Sequence, residues 1–156
     1  MSRIAFVPAR AAFLVLTAGL TLGACSLVPG WLGGGRSISR ISINADPDAN
    51  QNSAVAVDLV MLTDPEAAAA IMKLSARDWF QRRRQFARDY PDGLKVVSWE
   101  MAPGQILRDA SVDSPGGMTD AIVFAGYRDD GDHRLRLGDG SEVRLLLDEK
   151  DVRLMP

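Results

Sequence analysis

No run in the sequence limits the fold more than residues 55–61, where Val55, Val57, Leu59 and Met61 alternate with Ala56, Asp58 and Val60. A period of two sends successive side chains to opposite faces of a strand, so one face here is wholly apolar and must be covered by another layer. The same period runs through Ile41 and Ile43, set between Arg40, Ser42 and Asn44. It returns in residues 94–101, 105–112, 121–127, 133–137, 142–147 and 151–154. Pro103-Gly104 is a turn signal, and the polar steps Asp129-Asp130-Gly131-Asp132 and Gly138-Asp139-Gly140-Ser141 separate later strands. Strands this short and evenly spaced predict a β-sandwich.

One region departs from that period. Residues 65–74 are alanine-rich, with Asp64 placed to cap a helix and Pro65 at its first position. Ser75 can cap a second helix over residues 76–90, with Asp78 near the positive end of its dipole. There Trp79, Arg83, Phe86 and Tyr90 recur at helical spacing and form one stripe. The plan is two strands, a helical hairpin and about six further strands. Between the first two strands, residues 45–53 read as a polar loop.

The N-terminus has a different character. Arg3 and Arg10 are followed by a mostly apolar run over residues 11–24, with no carboxylate in the first 24 residues. The run has signal-peptide proportions and is shorter than the ~20 apolar residues that span a bilayer. It ends in Leu22-Gly23-Ala24-Cys25, the pattern of a lipobox, which predicts cleavage after Ala24 and lipid attachment to Cys25. Cys25 is the single cysteine, so no internal disulfide can form. Each buried acyl CH₂ is worth ~0.8 kcal/mol, so two or three chains anchor a protein durably. Ser26, in place of Asp, argues for sorting to the outer membrane of a diderm bacterium. Residues 25–36, with Pro29, Gly30 and Gly33-Gly34-Gly35, read as the lipidated cysteine and a flexible tether to a domain over residues 37–156. Trp31 suits either the membrane interface or packing on the domain.

Cleavage removes two arginines and no carboxylate, moving the formal charge from −2 to −4. A mildly acidic chain is a poor nucleic-acid binder. Arg82, Arg83, Arg84 and Arg88 are nevertheless a candidate basic surface for an anionic partner or lipid headgroups. The plainer reading is a solvated helix face whose aliphatic stems cover the aromatics beneath. Asp129, Asp130 and Asp132 lack the ligand ladder of a calcium loop and read as a turn. His133, the one histidine, has no second ligand at metal spacing, and neither a nucleophile elbow nor a phosphate-binding glycine loop occurs. No metal, cofactor or small-molecule substrate is expected, and a binding or scaffolding role is favoured over catalysis.

The order of motifs resembles a known family. A lipobox precedes the strand and loop Ile41-Ser42-Ile43-Asn44-Ala45-Asp46-Pro47-Asp48-Ala49-Asn50, which leads into an apolar strand over residues 54–62. Met101-Ala102-Pro103-Gly104-Gln105 and Ala125-Gly126-Tyr127-Arg128-Asp129 follow. This resembles the type VI secretion outer-membrane lipoproteins, TssJ or SciN, over most of residues 38–154. The helical segment over residues 78–91 is unlike the insertion of typical members.

The resemblance implies a transthyretin-like β-sandwich with a small helical insertion at about residues 65–90. It implies a lipid-anchored protein on the periplasmic face of the outer membrane that binds the periplasmic part of an inner-membrane partner, TssM. The docking loop of the family falls on Asp46, Pro47, Asp48, Asn50, Gln51 and Asn52. A pilotin-like assembly lipoprotein of another secretion or pilus system remains an alternative. So does a periplasmic ligand-binding lipoprotein, which calls for a deep apolar pocket.

Overall fold

Strand β2 (Val55–Leu62) is buried along nearly its whole length on both faces, and the architecture follows from what covers each one. The computed structural model describes residues 35–156; Cys25, the signal segment and most of the tether lie outside the described residues. Among the described residues eight strands form two four-stranded sheets. One sheet has the order β4 (Ile106–Ser111), β1 (Arg40–Ala45), β7 (Glu142–Leu147), β8 (Val152–Leu154). The other has the order β3 (Leu94–Met101), β2, β5 (Asp120–Gly126), β6 (Arg134–Arg136). Neighbours are antiparallel except β1 and β7, which run parallel from Arg40↔Glu142 to Ala45↔Leu147.

The inter-sheet core is built by Val55, Val57, Leu59 and Met61 of β2 against Ile41, Ile43, Leu145 and Leu147 of the facing sheet. These are the apolar positions of the period-two pattern. Val60 and Leu62 point the other way and join Ile122 and Phe124 of β5 under the helices. The mainly β sandwich with a helical insertion is as the sequence predicts. What the alternation did not convey is that the second face of β2 is covered too.

The helices begin where their caps dictate. Oδ1 of Asp64 accepts the N–H groups of Glu66 (2.7 Å) and Ala67 (3.0 Å), starting α2 (Pro65–Ile71). Oγ of Ser75 accepts the Asp78 N–H at 3.2 Å and starts α3 (Ala76–Asp89). Trp79 and Phe86 are buried, and Trp79 stacks on Phe124 of β5 with ring centroids 5.2 Å apart. At the return to β3, a side chain on Gly93 would come within 2.8 Å of Asp64 Cβ, so only glycine lets the chain pass the α2 cap.

Residues 45–53 hold one short turn, α1 (Ala49–Asn52), in which Asn50, Gln51 and Asn52 take φ of 48°, 55° and 57°. Asparagine tolerates this left-handed region better than most residues, because its short side chain bonds locally. Gln51 has less licence there, and the surrounding structure holds it in place.

Candidate functional site

The two ends of the sandwich differ in how they are built. At one end the chain enters. Arg36 Nε donates to Asp139 Oδ1 at 2.6 Å, and Nη1 donates to Thr119 O at 3.0 Å and Asp120 Oδ1 at 3.3 Å. Ile38 N donates to Ser114 Oγ at 2.8 Å. The chain is therefore fixed to the domain from Arg36 onward.

At the opposite end four loops are stitched together. Ala45 N donates to Gln105 O (2.9 Å) and Asp46 N to Leu147 O (2.9 Å). Asn50 N donates to Asp148 O (3.3 Å), Asn50 Nδ2 to Ala54 O (2.9 Å), and Arg128 N to Asn50 Oδ1 (2.9 Å). The Tyr127 hydroxyl lies 2.7 Å from Asp151 O and 3.1 Å from Asp148 O. Burial, reinforced by the nearby carboxylates of Asp148 and Asp151, pushes the Tyr127 phenol far above its ordinary range and keeps it a donor. Burial works against charge on Asp148, but the N–H groups of Lys150 and Asp151, each 2.8 Å from Oδ1, outweigh it. With Arg153 they hold its carboxyl below the usual range.

His133, 6% exposed and at φ 41°, stacks on Tyr127 at 4.7 Å between centroids. Its Nδ1 lies 3.1 Å from Asp151 Oδ1. Its Nε2 lies against Asp129 Oδ1, but without the alignment of a hydrogen bond. The two carboxylates meet opposite nitrogens of one ring, so they do not converge on a common point. Among the described residues no group of three His, Cys, Asp or Glu side chains could hold a metal ion. A surface cleft of about 320 Å³ lies between the start of α3 and this loop, lined by Arg77, Phe80, Tyr127, Asp129 and His133.

The expected docking residues divide. Pro47, Asp48, Gln51 and Asn52 are exposed and Asp46 is half-buried. Asn50 is 3% exposed, and its side-chain amide is spent tying its own loop to Arg128. Asp46 and Asp48 join Asp129, Asp130, Asp132, Asp148, Glu149 and Asp151 around this end, which is rich in carboxylates.

The four arginines expected to form a basic surface divide as well. Arg83 Nη1 reaches back to Asp58 of β2, 2.9 Å from Oδ2 and 3.2 Å from Oδ1. Asp58 is 1% exposed and also accepts the Trp79 indole N–H at 2.8 Å. Arg82 lies over the Phe86 ring at 5.0 Å. Arg84 and Arg88 are exposed and have no ion-pair partner among the described residues. The Asp58–Trp79–Arg83 contact escaped the sequence reading. Its one signal was a lone carboxylate within an apolar strand.

No protein-family model matches the sequence, and no curated protein matches it significantly. Solved structures do match, and the class they define is the lipoprotein fold of type VI secretion. Lip of Serratia marcescens, a membrane-bound component of the type VI secretion system, superposes with a TM-score of 0.59 at 16% identity. The match covers 78% of this chain and 97% of Lip. The lipoprotein TssJ1 of Pseudomonas aeruginosa gives 0.58 at 15% identity, covering 77% and 95%. A chain in the structure of the TssM C-terminal domain from EAEC gives 0.56 at 15% identity, covering 76% and 97%. At such identities the likeness is one of fold.

Proposed function

We propose that this chain is a divergent TssJ-type lipoprotein of a type VI secretion membrane complex, not an enzyme. It is anchored through lipid on Cys25 to the periplasmic face of the outer membrane. The loop end of the sandwich docks the periplasmic part of an inner-membrane partner of the TssM type. The observation that carries the reading is the pairing of a lipobox with a sandwich like that of Lip and TssJ1. The match to a chain in a TssM structure supports the choice of partner. Pro47, Asp48, Gln51 and Asn52 make the contact, while Asn50 sets the loop's shape from beneath. A loop already held in its bound form loses little entropy on docking.

Affinity capture from envelope extracts tests this. The intact lipoprotein should recover the inner-membrane secretion protein, and Asp48→Lys with Gln51→Lys should not. Cys25→Ser, with residues 1–24 replaced by a secretory signal that is cleaved without lipid, should leave the membrane fraction yet still bind the partner in solution. Recovery of no secretion component by the intact chain would overturn the proposal. Mass spectrometry of Cys25 tests the anchor separately.

A further inference from the structure

Arg77, Gln81, Arg84 and Arg88 follow one another at intervals of four, three and four residues, which is a single line along an α-helix. The line lies half a turn from the stripe of Trp79, Phe86 and Tyr90 that α3 packs against the sheet, so it is the outermost ridge of the helix. Arg77 is paired with Asp130 near the loop end. Arg84 and Arg88 sit toward the other terminus. Asp78, the carboxylate of the first turn, accepts a hydrogen bond from the Ser75 hydroxyl at 2.9 Å, and Asp89 lies off the ridge.

The C-terminus of α3 lies at the end of the sandwich where the chain enters. The Gly93 N–H donates to Tyr90 O at 3.1 Å, and the N–H groups of Thr63 and Asp64 donate to Gly93 O at 3.0 and 3.2 Å. Leu62 pairs with Asp120, which receives Arg36. From Gly35 back to Cys25 there are ten residues, which reach at most about 35 Å when fully extended.

We propose that Arg84 and Arg88 rest on the anionic phospholipid headgroups of the bilayer that holds Cys25, an inference that builds on the lipoprotein reading. The short tether makes this contact intramolecular. Two arginines that hold a free acidic protein only at low salt are then enough at physiological salt to orient the domain, with α3 toward the bilayer. The phosphate charge complements a ridge on which the remaining residue, Gln81, is neutral.

Vesicle co-sedimentation of the mature chain, residues 25–156 with Cys25→Ser, measures the contact without the lipid anchor or the signal segment. At ~50 mM salt it should bind phosphatidylglycerol vesicles, and at ~500 mM, where the Debye length shrinks severalfold, it should release them. Phosphatidylcholine vesicles should not bind. Arg84→Ala with Arg88→Ala should weaken binding about 25-fold, from roughly fivefold per arginine. Arg108→Ala, on the other sheet, should leave binding unchanged. Undiminished binding by the double variant, an equal loss with Arg108→Ala, or no binding to phosphatidylglycerol at low salt would each overturn the inference. Because Cys25 carries no lipid in this assay, such a failure leaves the lipoprotein reading standing.

Discussion

Strand β2 faces two cores, and they are built differently. Toward the other sheet, Val55, Val57, Leu59 and Met61 meet Ile41, Ile43, Leu145 and Leu147, and among the described residues no buried carboxylate stands with them. Toward the helices, Val60 and Leu62 meet Ile71, Trp79 and Phe86, and among them stands Asp58, ionically paired with Arg83 and hydrogen-bonded to Trp79. Apolar burial is strong but has no direction. A buried polar contact adds less and can be satisfied in few geometries. The inter-sheet layer is the larger apolar cluster, and the Asp58 contact adds a directional tie between α3 and the sheet.

The sharpest test is to open a hole in each layer. Leu59→Ala removes a fully buried side chain from the inter-sheet core and should cost about 3–5 kcal/mol, read as a lower urea midpoint. That is a large fraction of the roughly 5–15 kcal/mol that holds a domain of this size together. Asp58→Ala should cost less, about 2–3 kcal/mol, chiefly by leaving the Trp79 indole N–H unpaired in the interior. Its effect should also be local. Amide exchange should accelerate in α3 while β7, in the far sheet, keeps its protection. Equal acceleration in β7 would mean that the two layers form one cooperative unit and that their chemical difference has no mechanical consequence.

Much of this division was legible before the structure, and the gaps have physical causes. Period-two alternation marked the inward face of β2, and the spacing of Trp79, Phe86 and Tyr90 marked the face of α3 that packs. Arg83 shared that stripe, yet it also read as basic surface, because sequence does not say that a carboxylate waits opposite. Asn50 shows the reverse. A polar residue in a polar loop reads as solvent-facing, but its burial comes from a hydrogen bond to Arg128, 78 positions away. Tyr127 and His133 belong to the same network, which is assembled by tertiary contacts and has no local pattern. Caps, by contrast, are local, and Asp64 and Ser75 stand where the sequence places them.

The cap supplies a smaller test of the helix layer. Ser75→Ala removes the acceptor of the Asp78 N–H and should cost about 1 kcal/mol, with faster exchange confined to the first turn of α3. Loss of protection spreading to β1 would count against separate layers.

Acid should act on the opposite layer, and most gently. The carboxylates held below their ordinary range are Asp113, through Lys95 at 2.6 Å, Glu142, through Arg40, and Asp148, through its backbone donors. Glu142 opens β7 and Asp148 follows it, so both belong to the sheet opposite α2 and α3, whereas Asp113, which follows β4, ties that sheet to Lys95 of β3 in the other. A carboxyl whose folded value is depressed binds its proton more readily when unfolded. Its contribution is therefore complete above the unfolded value, near 4, and fades as pH falls through the folded one. The urea midpoint should hold from neutrality to about pH 5 and decline below about pH 4. Asp148→Asn should flatten that decline, since Glu142 and Asp113 are exposed and screened. If amide protection in α3 failed before that of β7 on acidification, the helix layer would be the acid-sensitive one, and the assignment of these carboxylates as the titrating ties would be wrong.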